Sequence, residues 1–89
     1  MKVAVDISLY PLQADFEPTI IDFIHHLRQV AGIEVHTNQL TTQISGEYTL
    51  VMDTLRDTMG HTFQQGGTYS FVLKVLNVAI EPGKTVALS

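Results

Sequence analysis

The order in which the hydrophobic pattern changes along the chain constrains its fold more than any other feature. Residues 2–10 alternate between apolar and polar side chains, which is typical of a strand with one buried face. Pro11 lacks a backbone donor, so we expect the strand to end there. From Ile20 to Ala31 the apolar residues instead recur every three or four positions, which predicts an amphipathic helix. The chain therefore begins with a strand and a helix.

The ends of this first helix carry residues with strong terminal preferences. Asp15 is a suitable N-cap, and Pro18 is tolerated in the first turn because the N–H it lacks has no helical partner there. Gly32 readily adopts the left-handed conformation that commonly ends a helix. We therefore expect the helix to continue through Ala31.

A hairpin and a second helix follow. Residues 33–37 and 40–45 alternate, and Asn38-Gln39 is the predicted tight turn between them. After Gly46, an i, i+4 apolar stripe predicts a helix that buries Val51, Leu55, Met59 and Phe63.

The end of this helix and the last strand are also visible in the sequence. Gly60 inside the helix costs about 1 kcal/mol relative to alanine, so we expect a kink or local mobility there, and Gly66-Gly67 ends the helix. Residues 69–78 are apolar on both sides around Lys74, a pattern that favours a strand buried on two faces.

The resulting order is strand, helix, strand, strand, helix, strand, which predicts an α+β fold. Two right-handed βαβ units of this kind form a ferredoxin-like βαββαβ sandwich, a four-stranded antiparallel sheet with two helices on one face. We assign residues 1–78 to this domain, and expect residues 79–89 to be a tail or an extra edge strand. Because 89 residues suffice for one compact domain, no second domain is expected.

The other face of such a sheet is uncovered within one chain. The alternation predicts a mixture of apolar and polar side chains on it, which suits a second sheet better than water. We therefore expect self-association to a homodimer or homotetramer. The residues predicted on this face are Ala4, Asp6, Ser8 and Tyr10 from the first strand and Val72, Lys74 and Leu76 or their neighbours from the last.

Composition excludes several classes of partner. The net charge is −4 and the five Lys and Arg residues are scattered, so a nucleic-acid partner is not expected. There is no cysteine, which excludes disulfides and thiolate chemistry. Asp6 interrupts any apolar signal-peptide region, and no stretch approaches the roughly 18 apolar residues of a membrane span. We expect a cytoplasmic protein with no membrane partner.

Motifs for catalysis or metal binding are not found in the sequence. His25 and His26 are adjacent on a helix and diverge by about 100°, so no metal ligands are predicted. The serines lack a GxSxG context. Asp53 and Asp57 are spaced i, i+4 and are expected to form a solvated face rather than an acid/base pair. The sequence therefore predicts a protein that is not an enzyme.

Short polar side chains collect toward one end of the predicted sheet. Such groups supply directional hydrogen bonds, the Tyr10 ring can stack on a flat ligand, and the carboxylate of Asp6 or Glu47 can neutralise a cation. In the alternative interpretation the threonines are only strand formers and Ser8 is a small interface residue. The set comprises Asp6, Ser8, Tyr10, Thr37, Asn38, Thr41 and Thr42.

Two segments resemble a known family. Val5-Asp6-Ile7-Ser8-Leu9-Tyr10-Pro11-Leu12 is similar to the opening signature of the thiamine-binding (YkoF-like) family. Residues 34–47, which read EVHTNQLTTQISGE, resemble the hairpin of that family, and the resemblance covers roughly residues 2–78. The chain departs from the family pattern at Asn38-Gln39, where Gly-Pro is usual, and at Ser45, where glutamate is common.

The resemblance implies a single-domain, non-catalytic member that binds thiamine or its hydroxymethylpyrimidine portion and needs no other cofactor. It also implies assembly from separate chains, because single-domain members are associated with face-to-face tetramers. Matched by motif position, the implied ligand contacts are Ser8, Tyr10, Thr37 and Thr42, with Asp6 and Asn38 added as neighbours.

Two alternative functions stay open on the sequence alone. One is a structural or regulatory oligomerisation module of ferredoxin-like fold, since fold does not fix function. The other is a small enzyme in which two sheets enclose a reactive cavity, for which the sequence offers only His36 as a plausible member.

Overall fold

The computed structural model describes residues 1–12, 17–38 and 41–77. It confirms the α+β order expected from the sequence. The elements in chain order are β1 (Lys2–Pro11), α1 (Glu17–Arg28), β2 (Glu34–Thr37), β3 (Thr42–Glu47), α2 (Tyr48–Phe63) and β4 (Tyr69–Leu76).

The four strands form one antiparallel sheet in the order β2-β3-β1-β4, with both helices on one face, which is the ferredoxin-like sandwich. β1 pairs with β3 only from Lys2↔Glu47 to Ile7↔Thr42, whereas its pairing with β4 continues to Pro11↔Tyr69. β1 therefore extends beyond the end of β3, which leaves an opening beside its last residues.

The core lies between the sheet and the helices. Alternate residues of β1 and β3 pack against the apolar stripes of α1 and α2, as the period of two requires. The fully buried members are Val3, Val5, Ile7, Phe23, Leu27, Ile44, Val51 and Leu55.

The first helix ends earlier than expected. α1 stops at Arg28, and the backbone continues in tight i→i+3 turns from Gln29 to Ile33. Ala31 therefore lies outside the helix, although Gly32 does have the expected left-handed φ of 88°. The predicted N-cap Asp15 lies outside the described residues.

The hairpin and the second helix also differ in detail from the prediction. β2 and β3 are separated by residues 38–41, a longer connection than the expected Asn38-Gln39 turn. α2 continues through Gly60 to Phe63, and the kink or local mobility expected at Gly60 stays a prediction. Phe63 is 52% exposed, and the buried face of α2 instead consists of Val51, Thr54, Leu55, Thr58 and Thr62.

The last strand was expected to be buried on both faces, and this is wrong for the single chain. Among the described residues β4 lies at the edge of the sheet. Val72 and Leu76 on its outer face are 57% and 44% exposed, because no described helix or strand covers that side. The predicted tail, residues 79–89, lies outside the described residues. Neither helix of the described part is long and apolar enough to cross a bilayer.

Candidate functional site

A cavity of about 210 Å³ lies where β1 extends beyond β3. Three parts of the chain enclose it: the end of β1, the first half of α1 and the β2–β3 hairpin. Its lining residues are Ile7, Ser8, Leu9, Tyr10, Ile20, Phe23, Ile24, Thr37, Asn38, Thr41 and Thr42.

The hairpin side of the cavity is a network of hydroxyl and amide groups. The Thr37 and Thr42 hydroxyl oxygens are 3.1 Å apart and hydrogen-bonded to each other. The Thr41 N–H donates to the Asn38 side-chain oxygen at 3.0 Å, and the Asn38 N–H donates to the Thr41 carbonyl at 3.0 Å. These bonds hold the polar side chains of the hairpin in a fixed arrangement.

The Thr41 hydroxyl fastens this hairpin to β1. It donates to the Asp6 carboxylate and lies 3.1 Å from the Ile7 carbonyl oxygen. A hydrogen bond to a charged acceptor is stronger than one between neutral groups. The contact therefore joins the hairpin to β1 on the polar side of the cavity.

The backbone of β1 adds a donor and an acceptor. The Ile7 carbonyl faces the hairpin, while the Leu12 N–H bonds Thr68 on the β4 side. Backbone groups point to the same side of an extended strand at every second residue, so the N–H and C=O of Leu9 also face the hairpin. Because β3 pairs with β1 only as far as Ile7, these two groups lie at the cavity edge.

The opposite wall is apolar. Ile20, Phe23 and Ile24 of α1 line it, and the Phe23 ring packs on Phe71 of β4 at 5.1 Å between ring centroids. Phe23 is only 2% exposed, so this wall is continuous with the core. The site thus combines one apolar wall with one polar wall, as small-molecule sites do.

The match to known families decides how this fold is classified. The sequence of residues 2–78 matches the model of the YkoF-related family. The chain belongs to the YkoF-related family. The resemblance given by the β1 and hairpin motifs is thereby confirmed.

Solved structures share the fold of this YkoF-related chain. A candidate thiamine biosynthesis/salvage protein of Thermotoga maritima superposes with a TM-score of 0.78 at 20% identity, covering 88% of this chain and 85% of that one. A Streptococcus pneumoniae protein gives 0.79 at 20% identity over 90% and 89% of the two chains. A Methanocaldococcus jannascii protein gives 0.76 at 17% over 90% and 84%. No protein with a curated description matches the chain.

The cavity of this YkoF-related protein brings together five of the six ligand contacts expected from the sequence. Strand alternation places the side chains of two of them, Ser8 and Tyr10, on the sheet face away from the helices. These two residues therefore border the cavity at its edge. Asp6 does not line the cavity and reaches it only through Thr41. The five lining residues are Ser8, Tyr10, Thr37, Asn38 and Thr42.

Glu47, considered as a cation partner, lies at the other end of the sheet and not near the cavity. Its carboxylate accepts a hydrogen bond from the Met1 amine at 2.7 Å. This bond is the main reason why the pKa of Glu47 is lowered below its usual value; desolvation opposes the shift, and the positive charges of the Met1 amine and Lys2 add to it. Glu47 is therefore removed from the candidate contacts.

Part of the site was missed by the sequence reasoning. Leu9 contributes through its backbone, for which no side-chain signal exists. Ile20, Phe23 and Ile24 were recognised only as a core stripe, because periodicity shows which face of a helix is buried but not which of its residues border a cavity.

The outer sheet face carries a second depression of about 200 Å³, lined by Asp6, Gln43, Lys74 and Leu76 together with Ala4 and Val5. The register pairs Asp6 with Lys74 across β1 and β4, so a carboxylate and an ammonium group are neighbours there. This face contains the residues expected on it from the alternation.

The described residues also bring together a set of metal-capable groups outside the cavity, although none was predicted. Asp22, His26 and His61 lie at the junction of α1 and α2. The sequence shows no metal-ligand motif for this set, because His61 is on a different helix and 35 residues from His26.

Proposed function

We propose that the chain binds thiamine or its hydroxymethylpyrimidine portion in the cavity beside β1, as a cytoplasmic carrier or salvage protein that does not catalyse a reaction. One observation supports this most: a preformed cavity faces an apolar wall on one side and fixed hydroxyl, amide and backbone groups on the other. Membership of the YkoF-related family and the fold shared with a candidate thiamine biosynthesis/salvage protein support it further. The proposal assigns binding to residues 1–78.

The size of the cavity suits one ring. Sites for drug-sized ligands enclose about 300–1,000 Å³, whereas this cavity holds about 210 Å³. We therefore place the aminopyrimidine inside, with its ring nitrogen and amino group toward the Leu9 backbone and the hairpin hydroxyls. The cationic thiazolium of thiamine then extends to the mouth, on the side of Asp6.

Ligand binding is tested by thermal denaturation with three compounds: thiamine, hydroxymethylpyrimidine and the isolated hydroxyethylthiazole. A ligand at about 100 times its dissociation constant adds about 2.7 kcal/mol of stability, which raises the Tm of a domain this small by on the order of 10 °C. We expect the first two compounds to raise the Tm and the thiazole not to do so. If neither pyrimidine compound raises the Tm, the proposal is wrong.

The Thr37→Val substitution tests the placement of the ligand. It keeps the shape of the side chain and removes a hydroxyl that faces the cavity. We expect affinity for hydroxymethylpyrimidine to fall up to about tenfold, since one hydrogen bond contributes about 0.5–1.5 kcal/mol. The matched control is Thr49→Val, because Thr49 is exposed at the start of α2; equal affinity loss in both variants would refute the placement.

A second candidate function is an oligomerisation module without this ligand. The observation in its favour is the sheet face that no described element covers, where Tyr10 and Val72 are 54% and 57% exposed. Sedimentation and thermal denaturation together distinguish the two functions. A chain that self-associates but shows no Tm change with either pyrimidine compound supports the oligomerisation module and excludes the ligand-binding carrier.

A further inference from the structure

Three metal-capable side chains meet where α1 packs on α2. The Asp22 carboxylate is 3.2 Å from His61 Nε2, and the His26 and His61 rings lie 4.2 Å apart between centroids. One potential ligand atom from each of the three residues lies within 4.8 Å of the others. The cluster is on the side of α1 that faces α2, whereas the ligand cavity is on the side that faces the hairpin.

The hydrogen bond of His26 leaves the correct ring nitrogen for a metal. His26 Nδ1 is 2.9 Å from the Asp22 carbonyl oxygen, and a carbonyl can only accept, so Nδ1 carries the proton. The lone pair of the neutral ring is then on Nε2. Histidines that bind metals usually donate their other N–H in this way, which fixes the tautomer.

The spacing of the ligand atoms is close to that of a tetrahedral site. Nitrogen and oxygen ligands about 2.0–2.1 Å from a zinc ion lie about 3.3–3.4 Å from each other. The 3.2 Å separation of His61 Nε2 and Asp22 Oδ2 already matches this value. The three side chains are 38–47% exposed, so His26 has room to bring Nε2 to the same distance.

Gln65 supports the carboxylate from outside. Its side-chain amide donates to Asp22 Oδ2 at 2.7 Å. Carboxylates that bind metals are commonly held by such a second hydrogen bond, which orients their lone pairs. Gln65 follows His61 by four residues, just beyond the end of α2, so one short stretch of chain supplies both a ligand and the group that orients another.

We propose that Asp22, His26 and His61 form a Zn²⁺ site that joins α1 to α2, with water as the fourth ligand. Two imidazoles and a carboxylate suit zinc, and a three-residue set leaves one tetrahedral position open. The ion ties the two helices together at the surface, above a contact otherwise made by side chains of the core. This inference is independent of the proposed ligand.

The site is tested on the full chain without a histidine tag, treated with EDTA and then dialysed. Zinc chloride is added, and both bound zinc and Tm are measured. We expect one zinc per chain and a Tm that rises with zinc concentration. His61→Gln and Asp22→Asn should each weaken zinc binding at least tenfold. The matched control is the double variant His25→Gln, His36→Gln, which removes two exposed histidines outside the cluster and should bind zinc as the parent does.

Two further measurements distinguish a specific zinc site from adventitious binding of zinc to surface histidines. Co²⁺ in the site should give the intense visible absorption of tetrahedral coordination, and this absorption should be lost in His61→Gln. Gln65→Ala should weaken zinc about 10–100-fold, the usual effect of losing an orienting partner. Absence of stoichiometric zinc, or equal loss of binding in the control double variant, overturns the proposal and leaves the cluster as a hydrogen-bonded contact between helices.

Discussion

At the scale of single residues, Gly46 is a position where a side chain would clash with its neighbours. A Cβ placed there would lie 2.8 Å from the Gly32 carbonyl oxygen and 3.2 Å from Val51 Cγ2. The first neighbour is backbone and the second is fully buried, so neither can move freely. The close approach of β3 to the α1–β2 turn therefore depends on glycine.

We expect Gly46→Ala to lower the free energy of unfolding by about 1–3 kcal/mol, the usual cost of overpacking a core. Equilibrium denaturation in urea measures this change in the free energy of unfolding. An alanine variant as stable as the parent would show that the turn containing Gly32 moves away easily.

The residues of the candidate site show what a sequence can and cannot predict at this scale. Thr37 and Thr42 were expected near a ligand from the hairpin motif, and both line the cavity. The bond from Thr41 to Asp6 joins residues 35 positions apart, and no local pattern encodes that contact. Whether Thr41 meets Asp6 depends on the register in which the strands pair, and that register is set by the whole sheet.

At the scale of elements, the buried face of α2 follows from helical geometry. Successive residues turn by 100°, so a stripe of residues spaced by four drifts 40° at each step and Phe63 lies about 120° from Val51. Thr58 and Thr62 fall within about 20° of Val51 by the same arithmetic. This explains why Thr62 is buried while Phe63 is 52% exposed.

Gly60 in α2 offers the opposite case to Gly46. Its backbone is helical, and an added Cβ would have no atom within 4 Å. Alanine favours a helix over glycine by about 0.8–1.0 kcal/mol. We therefore expect Gly60→Ala to raise the free energy of unfolding by nearly 1 kcal/mol, and the Tm by several degrees. Calorimetry measures the Tm of Gly60→Ala and of Gly46→Ala in the same experiment, so that each variant is the control for the other. A Gly60→Ala variant less stable than the parent would contradict the open space found around Gly60.

The types and order of the six elements were predictable because each has a clear period. Their ends were less so: α1 stops at Arg28 because the chain enters i→i+3 turns, which apolar spacing does not encode. The exposure of β4 was missed for another reason. Apolar residues on both faces show that a strand prefers to be covered, but not that the covering group belongs to the same chain.

At the scale of the whole molecule, the sheet face that the described residues leave uncovered reduces the stability of a single chain. A domain of 89 residues buries only somewhat more than 60% of the surface that its unfolded chain exposes. Leaving Val72 and Leu76 in water forfeits part of the apolar burial that such a chain needs. The register also places Asp6 beside Lys74 on this face, which would help to fix the orientation of a second sheet.

We therefore expect the parent chain to sediment as a dimer or tetramer, and the double variant Val72→Lys, Leu76→Lys to sediment as a monomer, because each lysine places a charge where the sheets would meet. Ile21→Lys is the control: Ile21 is 51% exposed, but on α1, so its variant should keep the parent's assembly. If a second sheet also closes the mouth of the cavity, the monomeric variant should bind hydroxymethylpyrimidine more weakly than the control does. A parent chain that is already monomeric at high concentration would refute the assembly, and the cavity of one chain would then have to hold the ligand alone.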